Sequence, residues 1–373
     1  MLYIYIVICA AMIAFNIIFI FASMIYPYAL KFYTNYFYKR FLVLSDRFTK
    51  NESIGACSIF IIKHLLVRSF ALMAFDGLLD KLKAKEMDKV HEMMKGEFFV
   101  IQYLCEKFLK QSPRKRAYFL NILYKYNICE FRSDDEVLKI IKKYLYMPSL
   151  YCRYNAMHIL YATGDVKKVI EGVEIVNKSD AYTHERVLSV GFQSFTGDKD
   201  ELLKKLINGF YNYKEWIQEA ICNFAPTVSG NYQKEMFEFL KDESLSDSIH
   251  ILCIGYLGLF PYKDAYGYLI DCLKDTDKTK IRYAEYAAKY LYSYPCAETI
   301  FALKQAMFSD KWVVQINAAD SLEKLGLEYN DLLEIFNGND RYAMDIMQYF
   351  LDVRKLTSDK KDECGGKLYG RSI

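Results

Sequence analysis

The stretch Asp310-Lys-Trp-Val-Val-Gln-Ile-Asn-Ala-Ala-Asp-Ser-Leu-Glu-Lys-Leu-Gly326 reads as one amphipathic helix stopped by glycine. Val313, Ile316, Ala319 and Leu322 fall at three-residue steps, and Val314, Ala318, Leu322 and Leu325 at steps of four or three. Both sets gather on one helical side. Asp310 stands where an N-cap belongs, and Gly326 where a left-handed C-terminal residue belongs. The small pair Ala318-Ala319 lets a neighbouring helix approach closely.

This unit recurs. With Ala318 as anchor, an apolar residue follows four positions on and a breaker eight positions on, here Leu322 and Gly326. Upstream copies are Ala287, Leu291 and Pro295, then Cys253, Leu257 and Pro261. In the next copy, Ala220 and Phe224, the breakers are displaced, with Pro226 and Gly230 flanking Val228. Ser189, Gln193 and Gly197 come before that, and Ala156, Leu160 and Gly164 before those. The anchors 156, 189, 220, 253, 287 and 318 are 33, 31, 33, 34 and 31 residues apart. Thr163-Gly164-Asp165 returns literally as Thr196-Gly197-Asp198. A small residue, an apolar residue and a Gly or Pro at such a period mark stacked helical hairpins. Each breaker is followed by a second amphipathic segment: 198–210, 231–241, 262–274 and 297–308.

Asp310–Gly326 resembles the first helix of a HEAT repeat, with its Asp, its Val-Val-Gln in place of the usual Val-Arg, its Ala-Ala and its Leu-Gly. Lys280-Ile-Arg-Tyr-Ala-Glu-Tyr-Ala-Ala-Lys-Tyr-Leu291 is similar. The resemblance covers about residues 149–356 and implies a right-handed α-solenoid of HEAT-like hairpins. The degenerate copies lack the usual Arg or Asp. The expected architecture is all-α: a transmembrane helix at 1–30, a basic and aromatic juxtamembrane segment at 31–52, divergent helices at 53–147, HEAT-like repeats at 148–356 and a flexible tail at 357–373.

Of the 373 residues, 53% are hydrophobic and 25% charged, which excludes a disordered chain and leaves ample length for a core. The 33 Tyr and 26 Phe read as core and interface material rather than a sugar-binding groove. Residues 1–30 contain no Asp, Glu, Lys or Arg, and Leu2–Tyr26 is longer than the roughly 20 residues needed to span a bilayer. A signal peptide would start basic, be shorter and end at a small-residue cleavage site, for which Ala22-Ser-Met24 is poor. Asn16 is a single polar group within the run. Lys31, Lys39, Arg40, Arg47 and Lys50 against Asp46 place the following domain in the cytoplasm by the positive-inside rule. Ten cysteines, none in a Cys-x-x-Cys pair, fit buried thiols in a reducing compartment. The aromatic and basic residues from Tyr28 to Lys50 suit a headgroup region and a helix continuing onto the inner surface.

Apolar runs at 54–82, 98–109, 117–126 and 136–145 read as further helices, with Ser112-Pro113 and Ser133-Asp-Asp-Glu136 as starts. Lys63, His64, Arg68 and Asp76 interrupt 54–79, which therefore reads as a buried helix rather than a second span. Residues 1–150 hold 22 Lys+Arg against 13 Asp+Glu, a balance of +9; the remainder holds 27 against 33, a balance of −6. Either this is ordinary surface variation, or the basic half lies against anionic lipid while the acidic half is held out for a partner.

No reaction chemistry is legible. No two of His64, His91, His158, His184 and His250 are four apart. His91-Glu-Met-Met-Lys95 opens like a zinc-protease helix, but Lys95 replaces the second histidine. No phosphate loop or nucleophile elbow occurs; Gly255-Tyr-Leu-Gly258 lies inside an anchor helix. Asp198-Lys-Asp200 and Asp275-Thr-Asp277 sit in turns, where Asp caps the next helix rather than holding a metal-nucleotide. The sequence assigns no catalytic, cofactor or metal residues. The basic clusters at 114–116, 142–143, 167–168 and 204–205 could grip nucleic acid only from a basic concave face, and the −6 balance of the repeats opposes that.

The expectation is thus a non-enzymatic, single-pass scaffold with its repeat domain in the cytoplasm. It would bind lipid through residues 1–50 and a protein partner through the repeats. By analogy with membrane-anchored bacterial HEAT-like proteins, that partner would be a membrane glycosyltransferase or other envelope-assembly enzyme. The alternatives are a cytoplasmic-side regulatory receptor for a soluble protein or small ligand, and, least favoured, a DNA-binding protein.

Overall fold

The computed structural model describes residues 2–49, 66–82, 87–88, 91, 98–128, 135–179, 181–274 and 280–366. His64, Asp275-Thr-Asp277, Ser133, Cys57, Cys129, residues 54–65 of the second apolar run and residues 367–373 of the tail lie outside them. The described regular structure is entirely helical: the protein is all-α.

Helix α1, Leu2–Thr49, is uninterrupted and carries Pro27 in its interior. The apolar run and the juxtamembrane segment are therefore one element. Within its portion Tyr3–Tyr36 an 18-residue window reaches a mean hydropathy of 2.7, and the portion is long and apolar enough to cross a membrane. Nearly every side chain from Tyr3 to Tyr28 stands exposed, so no protein core accounts for this hydrophobicity.

The remaining helices are α2 (Ser69–Leu79), α3 (Phe98–Leu109), α4 (Pro113–Lys125), α5 (Asp135–Lys143), α6 (Leu150–Ala162), α7 (Val166–Lys178), α8 (Glu185–Gln193) and α9 (Lys199–Asn208). They continue as α10 (Glu215–Phe224), α11 (Gln233–Lys241), α12 (Asp247–Leu259), α13 (Tyr266–Lys274), α14 (Ile281–Tyr290), α15 (Ala297–Ala306), α16 (Trp312–Lys324), α17 (Leu333–Phe336) and α18 (Arg341–Gly366). Short 3₁₀ turns, such as Tyr144–Tyr146 and Ala225–Thr227, extend several of them. The second helices of the hairpins are shorter than the sequence pattern by up to four residues at an end. The tail expected from 357 onward is helical as far as Gly366.

The chain divides into two compact units: residues 1–183 with 194–202, and residues 184–193 with 203–373. In the first unit α1 packs on α2, α2 on α4 and α4 on α6, while α3 packs on α5. In the second, α8, α10, α12, α14, α16 and α18 pack each on the next, and α11, α13 and α15 each pack on the first helix that follows. The division falls inside the repeat stretch and groups α6 and α7 with the more divergent helices.

The anchors lie in mid-helix on α6, α8, α10, α12, α14 and α16. Ala156, Ser189, Ala220, Cys253, Ala287 and Ala318 are each at most 4% exposed. Gly164 and Gly326 take positive φ values of 67° and 79°, the left-handed conformation that ends a helix without a Cβ clash. Gly197 is needed for a different reason: a Cβ there would stand 2.3 Å from the Gly164 carbonyl oxygen. Pro261 directly follows Phe260, the C-cap of α12, and Pro295 follows the 3₁₀ turn after α14. One detail corrects the sequence reading. Asp310 does not cap α16: the N-cap position is Lys311. Asp310 instead pairs with Lys311 Nζ at 3.1 Å, and the Lys311 N–H donates to Ser309 Oγ at 3.2 Å. The helix starts one residue later than the apolar pattern implied because the serine hydroxyl captures that N–H first.

Candidate functional site

The hairpin stack of the second unit is tied by polar side chains that reach main-chain groups of the preceding hairpin. Tyr256 Oη donates to the Ser229 carbonyl at 2.8 Å and accepts from Tyr232 N–H at 3.0 Å. Tyr294 Oη repeats the arrangement, donating to Leu257 O at 2.8 Å and accepting from Tyr262 N–H at 3.0 Å. Each phenol thus satisfies one donor and one acceptor of a turn that hairpin packing would otherwise leave unmatched. Asn317, just before its anchor, donates to Glu285 O at 2.8 Å, and Ser321 donates to Ala288 O. In the first unit Asn155, also just before its anchor, donates to Ala117 O at 2.9 Å. These ties were not anticipated. The available signal was an asparagine preceding an anchor alanine in two distant copies.

Two grooves open along one edge of the second unit. One, of about 590 Å³, is lined by Leu240 and Lys241 of α11, Asp247 and His250 of α12, Tyr268 of α13 and Tyr283 of α14. The other, of about 560 Å³, is lined by Leu273 and Lys274 of α13, Ile281 of α14, Phe301 of α15, Phe308 in the following turn and Val314 of α16. Leu240 and Leu273, Lys241 and Lys274, and Tyr268 and Phe301 are pairs 33 residues apart, so the grooves are successive copies of one position in the hairpin.

Their chemistry differs. In the first groove His250 Nε2 lies 2.9 Å from Asp242 O, and its Nδ1 lies 2.7 Å from Tyr283 Oη. The Asp242 carbonyl can only accept, so Nε2 is the donor in that contact. Tyr283 Oη also lies 2.7 Å from Asp247 Oδ1. Burial, reinforced by that carboxylate, holds the Tyr283 phenol well above its ordinary range. With both imidazole nitrogens engaged, the constellation joins α12 to α14 and leaves no ring nitrogen open to a substrate. In the second groove Phe301 is 59% and Phe308 41% exposed, and neighbouring Trp312 is 64% exposed. A soluble chain seldom leaves several large apolar side chains uncovered in one place without a binding role.

His158, in the first unit, is a different case. Its ring sits among Tyr124, Tyr154 and Tyr161, with centroids 4.6, 4.2 and 5.4 Å away, and Nδ1 meets Ser194 Oγ at 3.3 Å. Nε2 is buried without a hydrogen-bonding partner. Burial pushes the imidazole down to about 4, so it is neutral at pH 7. His91 Nε2 is engaged with Tyr126 O at 2.8 Å. Asp198 caps α9, accepting from Asp200 and Glu201 N–H at 2.9 and 3.1 Å, and Asp165 caps α7, accepting from Lys168 N–H at 3.3 Å.

Among the described residues no group of three or more His, Cys, Asp or Glu side chains could hold a metal ion. No disulfide joins the described cysteines, and Cys105, Cys152, Cys222, Cys253 and Cys272 are buried. Cys296 is exposed at the start of α15, where Thr299 and Tyr266 hydrogen-bond its sulfur and lower its thiol from the usual range. Comparison with known proteins adds no identity: no family model and no curated protein matches this sequence.

Proposed function

We propose that the chain is a membrane-anchored scaffold of HEAT-like hairpins that holds a protein partner along the grooved edge of its second unit. Helix α1 crosses the bilayer, and the positive flank from Lys31 to Lys50 keeps the hairpins in the cytoplasm. The observation that carries this reading is the repetition of the groove at the hairpin period, with Phe301, Phe308 and Trp312 uncovered at the second copy. Stacked hairpins present such positions at regular intervals, and a partner spanning several of them gains affinity from each. Exposed Phe and Trp with flanking Lys274 and Lys311 match the apolar-core, polar-rim composition of a protein interface. The partner class is an integral membrane protein, with an envelope-assembly enzyme such as a glycosyltransferase as the client by analogy.

A photo-crosslinking amino acid at position 312 of the full-length protein, in its native cell, tests this. A single dominant adduct with a membrane protein is expected, lost when Phe301→Asp is added. Adducts only with soluble proteins would move the assignment to a regulatory receptor, for which the polar groove around His250 is the natural ligand site. No adduct at 312, with expression intact, would remove this edge from consideration.

A further inference from the structure

Three first helices of the first unit run parallel to α1. Tyr26 of α1 packs edge-on against Phe70 at 5.7 Å and its hydroxyl reaches Met73 Sδ at 3.0 Å, while Thr34 lies against Gly77. Moving along α2 toward its C-terminus thus moves along α1 away from the apolar run. The same holds between α2 and α4: Asp76 accepts from Tyr118 Oη at 2.6 Å, and Lys125, further along α4, lies 2.7 Å from Asp80 against 3.5 Å from Asp76. It holds again between α4 and α6: Cys152 Sγ reaches Pro113 O at 3.7 Å, and Asn155 donates to Ala117 O at 2.9 Å. The N-termini of α2, α4 and α6 therefore all point toward the apolar part of α1. Arg114 lies one turn, about 6 Å, beyond Tyr118 in that direction.

The residues on this edge are basic and aromatic. The turn from Lys110 to Arg116 contains Lys110, Arg114, Lys115 and Arg116 and no acid; the segment from Lys142 to Arg153 also contains no acid. Tyr146 is 62%, Leu150 43% and Tyr151 72% exposed. Three cations in the first turn of α4 face the positive end of the helix dipole, a placement that destabilises the helix unless an anion is supplied. None of Arg114, Lys115, Arg116 and Arg153 meets a carboxylate among the described residues. Arg153 is 4% exposed, and its guanidinium holds Met147, Pro148 and Tyr182 carbonyls at 3.0, 2.7 and 3.0 Å. It thereby fixes the turn that carries Tyr146 and Tyr151. The Nε atoms of Arg116 and Arg153 are buried with no partner.

We propose that this edge, the N-terminal ends of α4 and α6, docks on anionic phospholipid headgroups of the bilayer that α1 enters. The proposal rests on the reading of α1 as a membrane span. The cations of α4 meet lipid phosphate, completing the electrostatics of a helix start that the protein leaves positive. Tyr146, Leu150 and Tyr151 enter the interfacial layer, where aromatic side chains partition. Together with α1 this gives two attachments, which set the tilt of the first unit against the membrane rather than leaving it to swing on one helix.

The test uses the full chain in nanodiscs of neutral lipid and of neutral lipid with one-third phosphatidylglycerol, read by hydrogen–deuterium exchange. Residues 110–116 and 144–153 should exchange more slowly in anionic discs, about fivefold for each engaged cation, and lose that difference in high salt. Arg114→Glu with Lys115→Glu should abolish it while raising thermal stability, because acids suit the first turn of a helix. Equal exchange in both discs, with the protein resistant to alkaline carbonate, would overturn the docking edge and leave the anchor standing. Extraction by carbonate would remove both. Equal protection from inorganic phosphate in neutral discs would show an anion site that is not a lipid site.

Discussion

The joint between α1, α2 and α4 and the stack from α10 to α16 are both made of helices laid side by side, yet different chemistry holds them. The joint centres on Asp76, which accepts from Tyr118 and Tyr126 hydroxyls at 2.6 and 2.7 Å, with Lys125 bridging to Asp80 at 2.7 Å. Burial, then these carboxylates, hold both phenols far above their ordinary range. Charge enters the stack at single points, where Asp247 accepts from Tyr283 Oη at 2.7 Å between α12 and α14 and Lys274 lies 3.8 Å from Glu298 between α13 and α15. The stack relies mainly on small anchors at most 1% exposed and on hydroxyl and amide side chains bonded to main-chain groups. A repeated contact can be built from small residues and main-chain groups because every copy offers the same backbone. A unique contact between unlike helices lacks that shared template and uses a specific charged centre instead.

Changes directed at one region should therefore leave the other intact. The largest effect is expected from Ala318→Asp, which buries an unpaired charge between α14 and α16 and should cost about 3–5 kcal/mol. Thermal unfolding should show it, and exchange protection around Tyr118 should persist. A variant that melts like wild type would contradict the packing of α16.

Acid comes next. Because His158 titrates near 4 when folded but near 6.5 when unfolded, only the unfolded chain gains this proton as pH falls between those values. Stability is fully present above pH 6.5 and drops by about 3 kcal/mol by pH 4. His158→Phe, which suits the surrounding tyrosine rings, should flatten that segment of a denaturation series; an unchanged slope would assign the loss elsewhere.

Asp76→Asn should cost about 2 kcal/mol by removing the charged acceptor of two phenols. It should also speed exchange in α2 and the adjoining turn of α1 more than anywhere in the stack. Tyr294→Phe should cost about 1 kcal/mol and act only near Leu257 and Tyr262. The smallest structural effect is expected at Cys296: Cys296→Ser should leave stability unchanged. In the wild type, limiting iodoacetamide at neutral pH should label Cys296 before the buried thiols, as peptide mass spectrometry would report.

The small anchors of the repeat lie inside α6, α8, α10, α12, α14 and α16, Gly326 takes the left-handed conformation expected of it, and the breaker Gly164 does so too. The cap of α16 is Lys311 rather than Asp310: Ser309 Oγ accepts from Lys311 N–H, and spacing alone does not reveal that local bond. The grooves were invisible in the sequence. Tyr268 and Phe301 occupy the same hairpin position, but whether an aromatic there is core or surface depends on how far the next hairpin is displaced.

What the sequence determined by itself is local: the repeat, the apolar helix and its basic flank, all consequences of side-chain periodicity and charge along a single element. Only the tertiary structure decided which helix ends share an edge. It turned the basic cluster that ends at Arg116 toward the same side as the apolar part of α1. It also set His250 against Tyr283 and Asp247. Such juxtapositions join residues dozens of positions apart, and they follow from the parallel packing of alternate helices, which no single helix encodes.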